Sequence, residues 1–245
     1  MEISIKAQQL FSVGGLNITN AFLVALIASF LLIIFAIVLR SKIKLIPGKL
    51  QSVAEMGIEA LLKLMESVLG SMAAAEKYLP LIATLFIFIL VSNLLGIIPG
   101  DIDSLLLHGE GGHGVMLFRA PAADLNFTLA LAIISVLVTN IIGMAATGVF
   151  KHLSKYINFK GPIEFFVGIL ELISEFAKVI SLTFRLFGNI FAGEVLIMII
   201  FFLVPYVIPL PFIGLEYFVA LIQAFIFTMI TLVSISLHTT VHEEH

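Results

Sequence analysis

Ser181-Leu-Thr-Phe-Arg185-Leu-Phe-Gly-Asn189-Ile-Phe-Ala-Gly-Glu194 decides how the chain is read. An arginine stands in the middle of a long apolar segment, with an amide one turn later and a carboxylate beyond it. Arginine stays protonated in proteins. At a bilayer centre it costs about 2.5–3.5 kcal/mol on insertion scales. A chain keeps such a group where it has a task or a permanent partner. On an ideal helix Glu171, Lys178, Ser181, Arg185 and Asn189 fall within about 40° of one direction. They form one polar stripe on a helix otherwise clad in Ile, Leu, Val and Phe. Glu194, nine residues after Arg185, points to roughly the opposite face, so the two are not an intrahelical pair, for which the spacing is three or four.

Working outward, the setting is a membrane. Of 245 residues 60% are hydrophobic and 12% charged, and mean hydropathy is +1.17. Soluble domains carry about 25% charge. Several uncharged runs approach 20 residues, the length that crosses a bilayer. The expectation is an all-α polytopic membrane protein with about five membrane helices and one amphipathic surface helix. A net charge of -3, with no basic patch interleaved with aromatics, argues against nucleic acid. Cysteine is absent, which excludes disulfides, thiolate nucleophiles and cysteine metal sites.

The spans follow in order. Residues 1–19 form an external N-terminus, and 20–39 the first span. Met1-Glu-Ile-Ser lacks a basic leader region. The cluster Arg40-Ser-Lys-Ile-Lys44 follows the span and marks the cytoplasmic side. In residues 48–70, Glu55, Glu59, Lys63 and Glu66 share a narrow arc. This segment is an amphipathic helix, lying on the cytoplasmic surface or packed on another subunit. Residues 78–99 form the second span, with Pro80 in its first turn. Residues 100–123 are an acidic, glycine-rich external loop. The third span covers 124–150, opened by Asp124 at the N-cap. Lys151, Lys155 and Lys160 mark the cytoplasm again.

Residues 162–203 are too long for one upright span: about 60 Å against about 30 Å of hydrocarbon. Pro205, Pro209 and Pro211 make the next turn outside. Residues 214–240 are the last span, and residues 241–245 a cytoplasmic tail. The last span carries Glu216 and Gln223, seven apart and so on one face. Antiparallel packing brings Glu216 beside Glu194 at the outer end and Gln223 to the depth of Arg185. Glu171, Ser181 and His238 populate the inner half. The result is a discontinuous polar path with a fixed positive charge in the middle, suited to a proton or another small cation. Asn189 is also readable as an interhelical hydrogen bonder, Asp124 as only a cap, and Lys178 as a side chain snorkelling to the surface.

Three segments, 181–194, Leu221-Ile-Gln223-Ala-Phe-Ile-Phe227 and Pro121-Ala-Ala-Asp124-Leu-Asn126-Phe-Thr128, closely resemble the a subunit of bacterial F-type ATP synthases. The resemblance covers nearly the whole chain. It implies a stator subunit facing a rotating ring of c subunits, with the last two helices a long tilted hairpin against that ring. Arg185 would hold passing ring carboxylates ionised and block leakage. Glu194, Glu216, Asp124 and Asn126 would line an outer half-channel, and Glu171, Ser181 and Asn189 an inner one. Gln223 would support Arg185. Some bacterial relatives carry histidine where Glu216 stands. The implied partners are the c ring, b-type peripheral stalk subunits and the rest of the synthase. The implied location is a bacterial inner membrane, N-terminus outside and C-terminus cytoplasmic. No GxxxxGK[ST] loop is present, so ATP chemistry belongs to other subunits. No cofactor or metal is called for. His108, Glu110 and His113 sit in a glycine-rich stretch, and His242-Glu-Glu-His245 is one residue short of HExxH. The competing classes are a self-contained secondary transporter or channel, and a non-conducting scaffold. No internal repeat supports the former.

Overall fold

Helix formation here follows from apolar runs bounded by capping residues. A computed structural model describes residues 9–13, 16–97, 119–156, 161–204 and 207–240. The tail at 241–245, Lys160, Pro205 and the loop histidines His108 and His113 with Glu110 lie outside the described residues. Among those described, seven α-helices form, five of them long and apolar enough to cross a membrane. The protein is an all-α polytopic membrane protein.

Ahead of the helices stands a small antiparallel hairpin, β1 (Gln9–Val13) with β2 (Leu16–Thr19). It was not expected from the sequence. Gly14-Gly15 between two short apolar–polar alternations is the signal that marks it. Thr19 then caps α1 (Asn20–Ser41), accepting a hydrogen bond from the Phe22 amide at 3.3 Å. Only the early turns of α1 are buried, on the small residues Ala21, Ala25 and Ala28 with Val24. Beyond them Phe30, Ile33 and Ile37 are bare, as lipid-facing side chains are.

α2 (Lys49–Leu69) ends on Gly70, whose φ of 77° is the left-handed cap that glycine adopts without strain. Its C-terminal half packs on this chain's own α3 and α7. Met65 is buried among Tyr78, Ile82, Leu232 and Ile235, and Ser236 donates to the Val68 carbonyl at 3.2 Å. Its N-terminal half leaves Val53 and Met56 exposed.

α3 (Met72–Gly96) starts six residues before the apolar run at Tyr78. Ser71 caps it, and Ala73-Ala-Ala75-Glu-Lys77 is strong helix-forming sequence. Pro80 therefore lies inside the helix and not in its first turn. Residues 119–123 are no solvated loop: Arg119 through Ala123 are buried, the last three as a 3₁₀ turn. α4 (Leu125–Thr147) stops at Gly148, φ 87°, and a short α5 (Val149–Ser154) follows. The third helix thus breaks before Val149 and does not run on to Phe150.

α6 (Pro162–Leu203) is one unbroken helix of 42 residues. α7 (Pro209–Thr240) begins ahead of 214, with Pro209 and Pro211 inside its first turn, where a missing N–H costs no helical bond. α7 is the central element, contacting α2, α3, α4 and α6. Of its most apolar stretch 50% is buried within the chain, against 11% for α6. The main core gathers Ile89, Leu131, Val136, Leu182, Leu186, Ile190, Ala224 and Phe227.

Gly96 lies against the Ala120 backbone so closely that a β-carbon would overlap it. Gly96→Ala should destabilise the protein by about 1–3 kcal/mol, the usual cost of overpacking. Gly57→Ala, where a β-carbon meets nothing within 4 Å, should cost nothing. Thermal unfolding of the detergent-extracted protein, compared across the two variants, checks this.

Candidate functional site

Three groups of polar side chains are distributed along α6: the outer two meet other segments of the chain, and the middle one faces away from the bundle. The middle one is the stripe around Arg185. Leu182, Thr183, Leu186 and Ile190 are buried and turn inward on the bundle. Helical periodicity then sends Ser181, Arg185 and Asn189 outward, and all three are exposed. Arg185 Nη2 donates to Ser181 Oγ at 3.1 Å. Among the described residues no carboxylate forms an ion pair with Arg185, and its flanks are the exposed Ile180 and Phe184. Gln223 is buried in α7, and no direct hydrogen bond joins it to Arg185.

The second group lies toward the outer end of α6. Glu194 is gripped by Arg119, Nε lying 3.3 Å from Oε1 and 3.4 Å from Oε2. Arg119 is itself buried, donates to the Ala123 carbonyl at 3.4 Å, and lies over the Phe191 ring at 6.0 Å. Glu216 from α7 is also buried. Its carboxylate occupies the space that a side chain on Gly193 would fill. Gly193 adjoins Glu194, so the packing brings Glu194 and Glu216 to one region, with Arg119 as a third member. Arg119 is not marked by helical periodicity, because it stands outside the helices. Its only signal was its nearness to the Pro121–Asp124 stretch. Asp124 caps α4, accepting from the Asn126 amide at 2.8 Å, and Asn126 is exposed.

The third group lies toward the N-terminal end of α6. Glu171 pairs with Lys155 at a half-exposed edge. Deeper in, Glu175 is buried and receives Asn140 Nδ2 at 3.2 Å and Lys178 Nζ at 2.8 Å. Lys178 therefore serves a carboxylate of its own helix and does not simply snorkel. Asn140 Oδ1 in turn accepts from Tyr156 at 2.6 Å and lies 3.1 Å from His152 Nε2. His238 Nε2 is 3.8 Å from Glu175 Oε1. Asn140, His152, Tyr156 and Glu175 were not among the sequence candidates. Glu175 was visible only as a charge one turn beyond Glu171, and the others come from α4, α5 and the segment after it.

Burial pushes the His152 imidazole below its ordinary value of 6.5, and the Lys155 cation adds to the shift against Glu175 and Glu171. Tyr156 is pushed up to about 12 by burial and then by Glu175 and Glu171, so it remains a neutral donor.

With this geometry in view, the comparisons decide the family. A family model described as the ATP synthase A chain matches residues 22–236. The chain belongs to that family. ATP synthase subunit a of Campylobacter jejuni subsp. jejuni serotype O:6 is 39% identical over 226 residues, covering 91% of this chain and 89% of the relative. The protein of the same name in Campylobacter fetus subsp. fetus is 35% identical over 223 residues, covering 90% and 89%. That of Nitratiruptor sp. is 34% identical over 221 residues, covering 89% and 88%.

One pH effect follows from His152. The folded state protonates this imidazole less readily than the unfolded chain does. Its contribution to stability is therefore complete above pH 6.5 and is lost as pH falls through the lowered value. The thermal midpoint should drop on acidification from about pH 7 to pH 5, and His152→Gln should lessen the drop. Equal drops in parent and variant would remove His152 from the account.

Proposed function

We propose that this protein is the proton-conducting stator subunit of an F-type ATP synthase. It provides two offset half-channels, separated by Arg185 at the interface with a rotating c ring. It also joins b-type peripheral stalk subunits and the rest of the complex in a bacterial inner membrane, with its N-terminus outside. It holds no nucleotide and is not itself the catalyst of ATP formation.

The observation that carries this reading is the bare stripe on α6. A guanidinium flanked by apolar side chains on a membrane helix needs a counter-charge or water. No carboxylate of the described chain supplies one, so the partner comes from outside. A carboxylate on each small subunit of a passing ring satisfies that need. Near Arg185 such a group is favoured in its ionised form, so it must give up its proton before passing and take one after. The arginine also repels a proton moving directly between the two sides.

The outer group of Glu194, Glu216 and Arg119 supports an entry route on one side, with Asp124 and Asn126 at its mouth. Glu171, Ser181 and Asn189 belong with the other. Each proton driven through gains about 2.3 kcal/mol per 100 mV, so several are needed per ATP and a multi-site ring is required. A self-contained transporter would need its own mobile counter-charge for Arg185.

Arg185→Ala should abolish both ATP synthesis and ATP-driven proton pumping in inverted membrane vesicles while the complex still assembles. Retained pumping would end the proposal. Gly193→Ala forces the Glu216 carboxylate from its place and should slow synthesis by about tenfold or more, as loss of a proton-transfer group does. Synthesis at the parental rate would free Glu216 from that role.

A further inference from the structure

The polar groups toward the N-terminal end of α6 do not all lie on the ring-facing stripe. Glu171 is on the surface and tied to Lys155. The buried carboxylate is Glu175, which sits inside the bundle where α4, α5, α6 and α7 meet. Around it stand every titratable group facing that space. From the α5 side come His152, Lys155 and Tyr156. α6 adds Glu171 and Lys178, and α7 adds His238. Asn140 of α4 bridges Glu175 to His152 and Tyr156. The Lys155–Glu171 pair is half-exposed, whereas His152, His238 and Glu175 are nine-tenths or more buried.

Two details mark it as more than a brace. His238 Nδ1 is buried and has no hydrogen-bond partner among the described residues. A purely structural histidine spends both ring nitrogens, so a buried free one calls for water or a mobile proton. The two imidazoles lie with ring centroids 5.3 Å apart. The room for them comes from Gly143, where a β-carbon would stand 2.6 Å from His152 Cε1 and 3.1 Å from His238 Cβ.

Resting on the stator reading above, the geometry points to Glu175 and His238 as the proton-carrying pair of the cytoplasmic half-path. The pair links the Ser181–Arg185 stretch of the stripe to Glu171 through the interior of the chain's own bundle. Glu175 lies ten residues, about 15 Å along the helix axis, from Arg185, a distance that the proposal requires water to bridge. In the synthesis direction a proton released by a ring carboxyl reaches the Glu175 carboxylate and makes it a carboxylic acid. The acid passes the proton to the neutral His238 imidazole, which regenerates the carboxylate and forms imidazolium. The imidazolium releases it through water at the edge formed by Lys155 and Glu171. The 3.8 Å between Nε2 and Oε1 closes by a side-chain rotation or one intervening water, as proton-transfer contacts do in the working state. Lys178 and Asn140 are positioning residues that hold the Glu175 oxygens toward His238.

The test reads coupling on the complete complex in inverted vesicles, and passive proton conductance, driven by a potassium diffusion potential, on the same vesicles after the nucleotide-binding sector is removed. Glu175→Gln should lower conductance by about tenfold or more at unchanged subunit and ring content, and Glu175→Asp should retain most of it. His238→Gln should lower conductance and flatten its pH profile between about pH 6 and 8. Parental conductance in Glu175→Gln overturns the proposal, as does loss in Glu175→Asp equal to that in Glu175→Gln. If Glu175→Gln does not assemble, His238→Gln decides alone, and a parental pH profile there overturns it. If Arg185→Ala uncouples the complex while Glu175→Gln conducts normally, only the relay falls. If Arg185→Ala stays coupled, the stator reading itself falls.

Discussion

The structure depends on an imbalance: a permanently cationic guanidinium stands on an apolar helix whose own chain offers it only a serine hydroxyl. Arg185 donates to Ser181 and pairs with no carboxylate among the described residues. The two other basic side chains that meet α6 within the bundle are answered internally. Arg119 meets Glu194, and Lys178 meets Glu175. The cost of leaving one cation unmatched in a low-dielectric setting is several kcal/mol.

The division of labour between the last two helices follows. α7 is wrapped by α2, α3, α4 and α6, and its inward polar residues hydrogen-bond back to its own carbonyls, as Thr228 does to Ala224 and Thr231 to Phe227. Threonine can lie in an apolar core when its hydroxyl is satisfied this way. α6 instead covers only one flank and leaves Phe176, Ile180 and Phe184 bare beside the arginine. α7 is the buried support, and α6 presents an exposed face. The charged groups on α6 then separate by neighbour. Glu175 and Glu194 turn into the bundle, and Arg185 between them turns away from it.

Much of the fold was legible in residue order. Apolar runs of about 20 residues bounded by Thr19, Ser71, Asp124, Gly148 and the prolines locate the helices, because each cap satisfies or excuses orphan backbone groups. Where the boundaries differ, the reason is that helix and hydrophobic span are different things. α3 extends into Glu76 and Lys77 because those residues favour helix though they disfavour lipid. The hairpin before α1 escaped notice because two four- to five-residue strands are a weak periodic signal.

Of the site, periodicity determined that Ser181, Arg185 and Asn189 share a face, since 100° per residue needs no tertiary information. It also put Glu216 and Gln223 in line on the last helix. Tertiary structure alone decided which charges meet. Arg119 reaches Glu194 across 75 positions, and Asn140 reaches Glu175 across 35. Such encounters depend on how helices pack and on where glycines such as Gly143 and Gly193 leave space. A periodic pattern fixes the direction of a side chain about its own axis. It carries no record of what stands opposite, because that is set by the fit of surfaces far apart in the chain.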